Sequence, residues 1–88
     1  MPKFRKKPVV IEAIQFNGVN GKDVEQWISK NKNNRIGKVV SSGDAILMRT
    51  LKGAMRAEIG DYIIKDVKGD FFPCKPDIFE QTYELIEE

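Results

Sequence analysis

Residues 60–77 constrain the fold most, because turn residues alternate there with aromatic and β-branched residues. The stretch opens on Gly60-Asp61, has Lys68-Gly69 in its middle and ends near Pro73 and Pro76. Glycine beside a polar residue is typical of a turn, whereas β-branched and aromatic runs are typical of strands. The pattern therefore predicts turn, strand, turn, strand, turn, and hairpin turns of this kind join antiparallel strands.

The preceding residues predict one main helix and further strands. The helix is predicted over residues 22–32, where Val24, Trp27 and Ile28 share one face. Asn20 is the expected N-cap, paired with Asp23 in a capping box, and Trp27 is expected to be buried where the helix meets a sheet. Strands are predicted at residues 9–16, 37–41, 45–50, 54–59, 62–67, 70–72 and 83–86, and a short helix is predicted from Pro76.

These elements predict an α+β fold. We expect an antiparallel, curled or barrel-like sheet of about five strands, with one main helix packed on it and a short C-terminal helix. The 88 residues suit one domain, 1–88, in which residues 1–8 are a basic N-terminal lead-in. Gly60 and Gly69 are expected at positive φ, and the strand that contains Pro73 is expected at an edge or to end there.

Composition argues against several classes of function. The chain has no histidine and one cysteine, so the usual Cys–His pairing is impossible and no disulfide can form within it. We therefore predict no enzyme activity, no catalytic or metal site and no cofactor. No apolar run approaches the roughly 20 residues of a membrane span, and the basic N-terminus lacks a cleavage-site pattern. The expected location is the cytoplasm, without membrane contact.

Two chemical groups invite a sharper interpretation. Cys74 precedes a predicted helix and is followed by Lys75, which would activate a thiol, but it also fits as a small half-buried residue behind Phe72. We favour the packed residue and expect slow reaction with thiol reagents. Four aspartates (Asp61, Asp66, Asp70 and Asp77) follow no calcium-loop spacing, and we expect them to accept hydrogen bonds in turns.

Charge is distributed unevenly along the chain. Residues 1–38 hold nine Lys/Arg against three Asp/Glu, whereas residues 39–88 hold six against ten. Folding can mix the two halves on one surface, which we favour, or leave a basic patch that meets an acidic partner. Basic residues also lie near aromatic ones, which is typical of platforms for single-stranded nucleic acid, although core packing explains many of these rings. The resulting candidate interaction surface is Lys3, Arg5, Lys6, Lys7, Lys68, Phe71 and Lys75.

Several short segments form a distinctive set: residues 60–65 (GDYIIK), 67–79 (VKGDFFPCKPDIF) and 82–84 (TYE) in the C-terminal third, and residues 5–9 (RKKPV) and 12–16 (EAIQF) near the N-terminus. In these segments the chain resembles a group of small, uncharacterised phage and prophage proteins. The resemblance covers about half of the chain and implies a phage or prophage source. It implies no catalytic residue.

These observations predict a phage or prophage accessory protein in the host cytoplasm. The expected mode of action is non-enzymatic contact with a phage or host protein, or with a second copy of the chain. The alternative is a nucleic-acid-binding module that uses the basic N-terminal segment. A homodimer formed through a sheet edge or an apolar sheet face would bury surface that 88 residues alone cover poorly, and a monomer stays open as the other state.

Overall fold

A computed structural model describes residues 2–3, 11–51 and 53–84 of the chain. The elements are β1 (Glu12–Gln15), α1 (Gly21–Asn31), β2 (Ile36–Ser42), β3 (Ala45–Thr50), β4 (Gly53–Glu58), β5 (Tyr62–Lys65), β6 (Phe71–Cys74) and α2 (Pro76–Thr82). The α+β class predicted from the sequence is confirmed. No helix in the described part of the chain is long and apolar enough to span a membrane.

The strands form two antiparallel sheets rather than the single sheet of about five strands that the sequence predicted. The first sheet has the order β1-β5-β6, and the second has the order β2-β3-β4. Neither sheet closes on itself, so the barrel-like form is also wrong. The reason lies in the segment after β4, where the chain leaves the second sheet and crosses to the first.

Gly60 redirects the chain between the two sheets. Its φ of 98° is accessible to glycine at little cost, as the sequence predicted. The Gly60 amide donates to the Phe16 carbonyl at 2.7 Å, and the Phe16 amide donates to the Asp61 carbonyl at 2.9 Å. These two bonds align β5 with β1, so Ile63 pairs with Ile14. The strand after Gly60 therefore joins the N-terminal strand instead of extending the meander.

Asp61 stabilises this crossing from a buried position. Its side chain is part of a residue only 3% exposed, and its Oδ2 accepts hydrogen bonds from the Glu58 amide at 2.9 Å and from Lys75 Nζ at 3.1 Å. A buried carboxylate needs such partners, because the loss of its hydrating water is costly unless protein hydrogen bonds replace it. The single side chain thus ties the end of β4 to the residue that precedes α2.

Replacing Asp61 by alanine should lower the free energy of unfolding by about 1–3 kcal/mol, because the Glu58 amide loses its acceptor. Asp61→Asn is the matched control: it keeps an oxygen that can accept from Glu58 but removes the charge beside Lys75. We expect the asparagine variant to lose less than the alanine variant in urea denaturation. Equal losses in the two variants would show that the hydrogen bond to Glu58 contributes nothing.

The core lies between α1 and the inner faces of the two sheets. On the second sheet Ile46 and Met48 of β3 point inward, and on the first sheet Ile63 and Phe71 do so. Its ten buried members are Phe16, Val24, Ile28, Ile36, Val39, Ile46, Met48, Ala57, Ile63 and Phe71. The predicted helix face is therefore correct for Val24 and Ile28. Trp27 is only partly buried, and it packs against this core edge-on to Phe71, with ring centroids 5.2 Å apart.

The start of α1 differs in detail from the predicted capping box. Asn20 occupies the N-cap, but its side chain makes no capping hydrogen bond. Its Oδ1 accepts from the Asn17 amide at 3.0 Å and its Nδ2 donates to the Gln15 carbonyl at 2.9 Å. The side chain therefore closes the turn before the helix. Such local side-chain bonds compete with capping because Asn reaches either set of backbone groups.

Glu25 fastens α1 to the second sheet. Its carboxylate accepts hydrogen bonds from the Ser41 hydroxyl at 2.8 Å and from the Ser41 amide at 3.2 Å. Both bonds favour the ionised form, so they hold the pKa of Glu25 below its ordinary value. The helix therefore covers the inner face of the second sheet and leaves the opposite face of that sheet to solvent.

The chain ends confirm two predictions and correct a third. β6 is an edge strand, as Pro73 required, and Pro76 occupies the first turn of α2. The strand predicted at residues 83–86 is not formed at residues 83 and 84, and residues 85 and 86 lie outside the described part of the chain. Of the strand predicted at residues 9–16, residues 12–15 form β1, and residues 9 and 10 likewise lie outside it.

Candidate interaction surface

The structure describes four of the seven candidate residues taken from the sequence. Lys3 and Lys68 are exposed, whereas Arg5, Lys6 and Lys7 lie outside the described residues. Lys68 lies in the turn between β5 and β6, and Lys75 follows the other end of β6, so the hairpin separates the two ammonium groups. No shared site is therefore formed by Lys68 and Lys75.

Phe71 must be withdrawn from the candidate surface. It is 1% exposed and belongs to the hydrophobic core. Adjacent residues of a strand point to opposite faces, and Phe71 takes the inward one while Phe72 is half-buried on the other. An exposed stacking platform around Phe71 is therefore wrong.

Asp61 and Asp66 accept hydrogen bonds from turn amides, as predicted, whereas the Asp70 side chain binds two side chains from a distant part of the chain. Asp66 Oδ1 accepts from the Lys68 amide at 2.8 Å and from the Asp70 amide at 3.0 Å. Asp70 accepts from Asn33 Nδ2 at 2.6 Å and from Arg35 Nε at 3.0 Å, and the bond from Asn33 is the main reason that its pKa is lowered. Among the described residues, no group of three or more acidic or cysteine side chains is placed to hold a metal ion.

A cavity of about 380 Å³ opens beside these aspartates, at the end of the core near the β3–β4 and β5–β6 turns. Apolar side chains such as Met55 and Phe72 form much of its wall, and Arg35 and Asp70 lie in the wall as well. Since Arg35 and Asp70 pair with each other, the cavity presents no isolated charge from either residue. It offers an apolar recess without an acid–base pair poised for chemistry.

Cys74 is half-buried at the end of β6, which fits the packed interpretation. Burial raises the pKa of the Cys74 thiol, and the nearby carboxylates of Asp61 and Asp77 raise it further by disfavouring a second negative charge. A thiolate is the reactive form, so a raised pKa lowers reactivity at neutral pH.

Cys74 should react slowly with a disulfide reagent at neutral pH in the native protein and rapidly once the chain is unfolded. Its labelling rate should rise with pH through a midpoint above the ordinary cysteine pKa. Asp77→Asn is a mild control, because removal of one charge should move that midpoint downward. Native labelling as fast as that of the unfolded chain would contradict this result.

The outer face of the second sheet carries a group of cations that sequence reasoning did not bring together. Ile46 and Met48 point into the core, so Leu47 and Arg49 between and beyond them point outward. Leu47 pairs with Arg56 of β4 on one side and with Val40 of β2 on the other. We call this surface the basic face; its members are Lys38, Val40, Leu47, Arg49 and Arg56.

A β-bulge completes the basic face. The register of β2 against β3 shifts between Ile36 and Val39, so Gly37 and Lys38 lie opposite Arg49. A Cβ on Gly37 would lie 3.6 Å from the Cβ of Arg49, which places the two residues in van der Waals contact across the pair of strands. Val39 points into the core, and Lys38 therefore points outward beside Arg49.

The three cations of the basic face are unpaired. Lys38, Arg49 and Arg56 are exposed, and none of them forms an ion pair with any described residue. By contrast, Arg35, Lys65 and Lys75 are all paired with carboxylates. Two aliphatic side chains lie among the cations, with Val40 38% and Leu47 40% exposed. Such a mixture of arginine and apolar surface is typical of protein interfaces.

Alternation was the sequence signal that could have revealed this face. Apolar and outward-facing residues alternate through residues 46–49, and Arg56 lies between the apolar residues Met55 and Ala57. The partner strand was not predictable to the residue, because the bulge at Gly37 shifts its register. Comparison of the chain with protein-family models, with curated proteins and with solved structures finds no match.

Proposed function

We propose that the chain is a non-enzymatic accessory protein of phage or prophage origin that binds another protein through the basic face. The observation that supports this proposal is the presence, on one sheet face, of two exposed aliphatic side chains and three cations that form no ion pair with a described residue. The resemblance of residues 60–84 to small phage proteins supports the source. The partner acts in the host cytoplasm and presents carboxylates and apolar groups.

Physical chemistry favours a protein partner for such a face. Unpaired cations raise the rate of encounter with an acidic surface and select against basic partners. Val40 and Leu47 gain from contact only if the partner covers them with apolar atoms, at roughly 25 cal/mol per Å² removed from water. Phosphate groups supply negative charge, but they supply no apolar atoms that would cover Val40 and Leu47. The non-enzymatic part of the proposal rests on the absence of histidine, on the use of Asp61 and Asp66 in turns and on the pairing of Asp70 with Asn33 and Arg35.

Nucleic-acid binding is the second candidate, because Lys38, Arg49 and Arg56 are also able to contact phosphates. The basic residues of the N-terminal segment would add to the same electrostatic attraction. This function requires strong salt dependence, since each neutralised phosphate releases a counterion. It also requires that binding survive in the absence of any other protein.

The test compares three immobilised proteins in a host-cell lysate: the wild type, Arg49→Glu/Arg56→Glu, and the control Lys22→Glu/Lys30→Glu. The control makes the same change of charge at exposed positions of α1. We expect specific proteins to be retained by the wild type and the control but not by the Arg49→Glu/Arg56→Glu protein, with or without nuclease treatment. Retention that nuclease abolishes would support the second candidate, and identical retention by all three proteins would contradict both.

A further inference from the structure

The second outer surface of the molecule carries the opposite charge. α2 and the two residues after it contain Asp77, Glu80 and Glu84 and no lysine or arginine. All three carboxylates are exposed, and none forms an ion pair with a described residue. Ile78, on the other flank of α2 from Glu80, is 54% exposed. We call this surface the acidic helix; its members are Asp77, Ile78, Glu80 and Glu84.

The acidic helix and the basic face belong to the outer sides of different sheets. Ile63 points into the core, so its neighbour Tyr62 points away from the core on the outer face of the first sheet. Phe79 of α2 stacks on Tyr62, with ring centroids 3.8 Å apart and ring planes inclined by 9°. Tyr83 extends the aromatic group, with its ring centroid 5.0 Å from that of Phe79. α2 therefore covers the outer side of the first sheet, whereas the basic face is the outer side of the second.

We propose that the basic face binds the acidic helix of a second copy of the chain, so that copies associate head to tail. This inference rests on the proposed function and names the partner. In this contact, the three cations and two aliphatic side chains of the basic face meet the three carboxylates and the Ile78 side chain of the acidic helix. Because the two surfaces are complementary in charge and both expose apolar side chains, we infer that the acidic helix of a second copy is the partner of the basic face.

Symmetric pairing of either surface with itself is opposed by its charge. Two basic faces in contact would place Lys38, Arg49 and Arg56 against the same cations of the partner, and two acidic helices would oppose their carboxylates. Like charges brought together at an interface cost several kcal/mol. A contact between two different patches is heterologous, and it produces an open chain or a closed ring instead of the symmetric dimer.

Edge-to-edge pairing through β2 of the second sheet is opposed as well. β2 is an edge strand, and it carries the bulge at Gly37 together with the exposed Lys38. Bulges and lysines are features that prevent an edge from adding another strand. The outer face of this sheet is therefore a better docking surface than its β2 edge.

Two charge-reversed variants test the proposal, and each blocks one of the two contact surfaces. The face variant is Arg49→Glu/Arg56→Glu, and the helix variant is Asp77→Lys/Glu80→Lys. The wild type should associate with rising concentration in sedimentation equilibrium, and added salt should weaken the association. Each variant alone should remain at the 10.0 kDa chain mass, because the reversal should weaken association by a factor of at least about 100.

The equimolar mixture of the two variants gives the decisive result. The face variant keeps an acidic helix and the helix variant keeps a basic face, so one contact between them remains possible. We expect a heterodimer of twice the chain mass and no larger species. A wild type that stays at 10.0 kDa up to millimolar concentration, or a mixture that stays monomeric while the wild type associates, would overturn the proposal.

Further measurements keep the test independent of folding and of the proposed function. If glutamate in β3 and β4 impairs folding, a second variant, Arg49→Thr/Arg56→Thr, removes the positive charges and introduces residues that favour strands. We expect this variant to remain monomeric as well. Association as strong as that of the wild type would overturn the proposal. The lysate experiment supplies the other distinction. Loss of a retained host protein from the face variant, with a monomeric wild type, would overturn head-to-tail association and leave the proposed function standing.

Discussion

Replacing Phe71 by alanine should lower the free energy of unfolding by about 3–5 kcal/mol, as large aromatic truncations in protein cores do. Phe71 is 1% exposed, and it lies where β6 meets the core cluster, beside the partly buried Trp27. The neighbouring structure cannot collapse fully into the space that the ring leaves. Since small domains are stable by only about 5–15 kcal/mol, this loss is a large part of the total.

Val67→Ala is the matched control for Phe71→Ala. Val67 lies close by in the β5–β6 turn, but it is 77% exposed, so its truncation should change the free energy of unfolding by less than about 0.5 kcal/mol. Urea denaturation followed by circular dichroism measures both variants. If Phe71→Ala costs no more than Val67→Ala, the inward orientation of Phe71 is wrong, and the residue returns to the candidate surface.

Replacing Trp27 by alanine should cost about 2–3 kcal/mol, less than a fully buried tryptophan. The side chain packs against the core from a partly exposed position, so part of its surface remains in water in the folded state. Gln26→Ala is the control, because Gln26 is an exposed neighbour on the same helix. A cost below about 1 kcal/mol would contradict the packing of Trp27 on the core.

The two aromatic residues should also be coupled. Trp27 meets Phe71 edge-on, with the ring planes inclined by 86° and the centroids 5.2 Å apart. Pairs of this geometry contribute about 0.5–1.5 kcal/mol beyond their buried area. The double variant should therefore lose less stability than the two single losses added together. Strict additivity would mean that the rings do not interact.

The sequence predicted elements better than it predicted their arrangement. Strand β3 was predicted at residues 45–50 and observed over the same residues, and α1 differs by one residue at each end. Positive φ at Gly60 and Gly69 was also confirmed. These features depend on local preferences, which the residues themselves carry.

Pairing between distant segments was the part that local patterns did not contain. Nothing around Gly60 indicates that the Phe16 backbone is its partner, and that contact divides the strands between two sheets. Likewise, alternation along a strand requires Phe71 and Phe72 to lie on opposite faces but does not tell which of them points to the core. The sequence did not predict the basic face for the same reason, because Lys38, Arg49 and Arg56 come together only through the register of three strands.

The pairing of β1 with β5 bears on the order of events in folding. Glu12 and Lys65 face each other across this pair although 53 residues separate them in the chain. Closing so long a loop costs entropy before its contacts form, whereas β2, β3 and β4 are joined by short turns. We expect the second sheet to nucleate folding and the first sheet to assemble last. Truncations in β3 should then slow refolding, whereas truncations in β1 should mainly accelerate unfolding, and a ribosome-bound chain would hold β1 without its partner strand until β5 emerged.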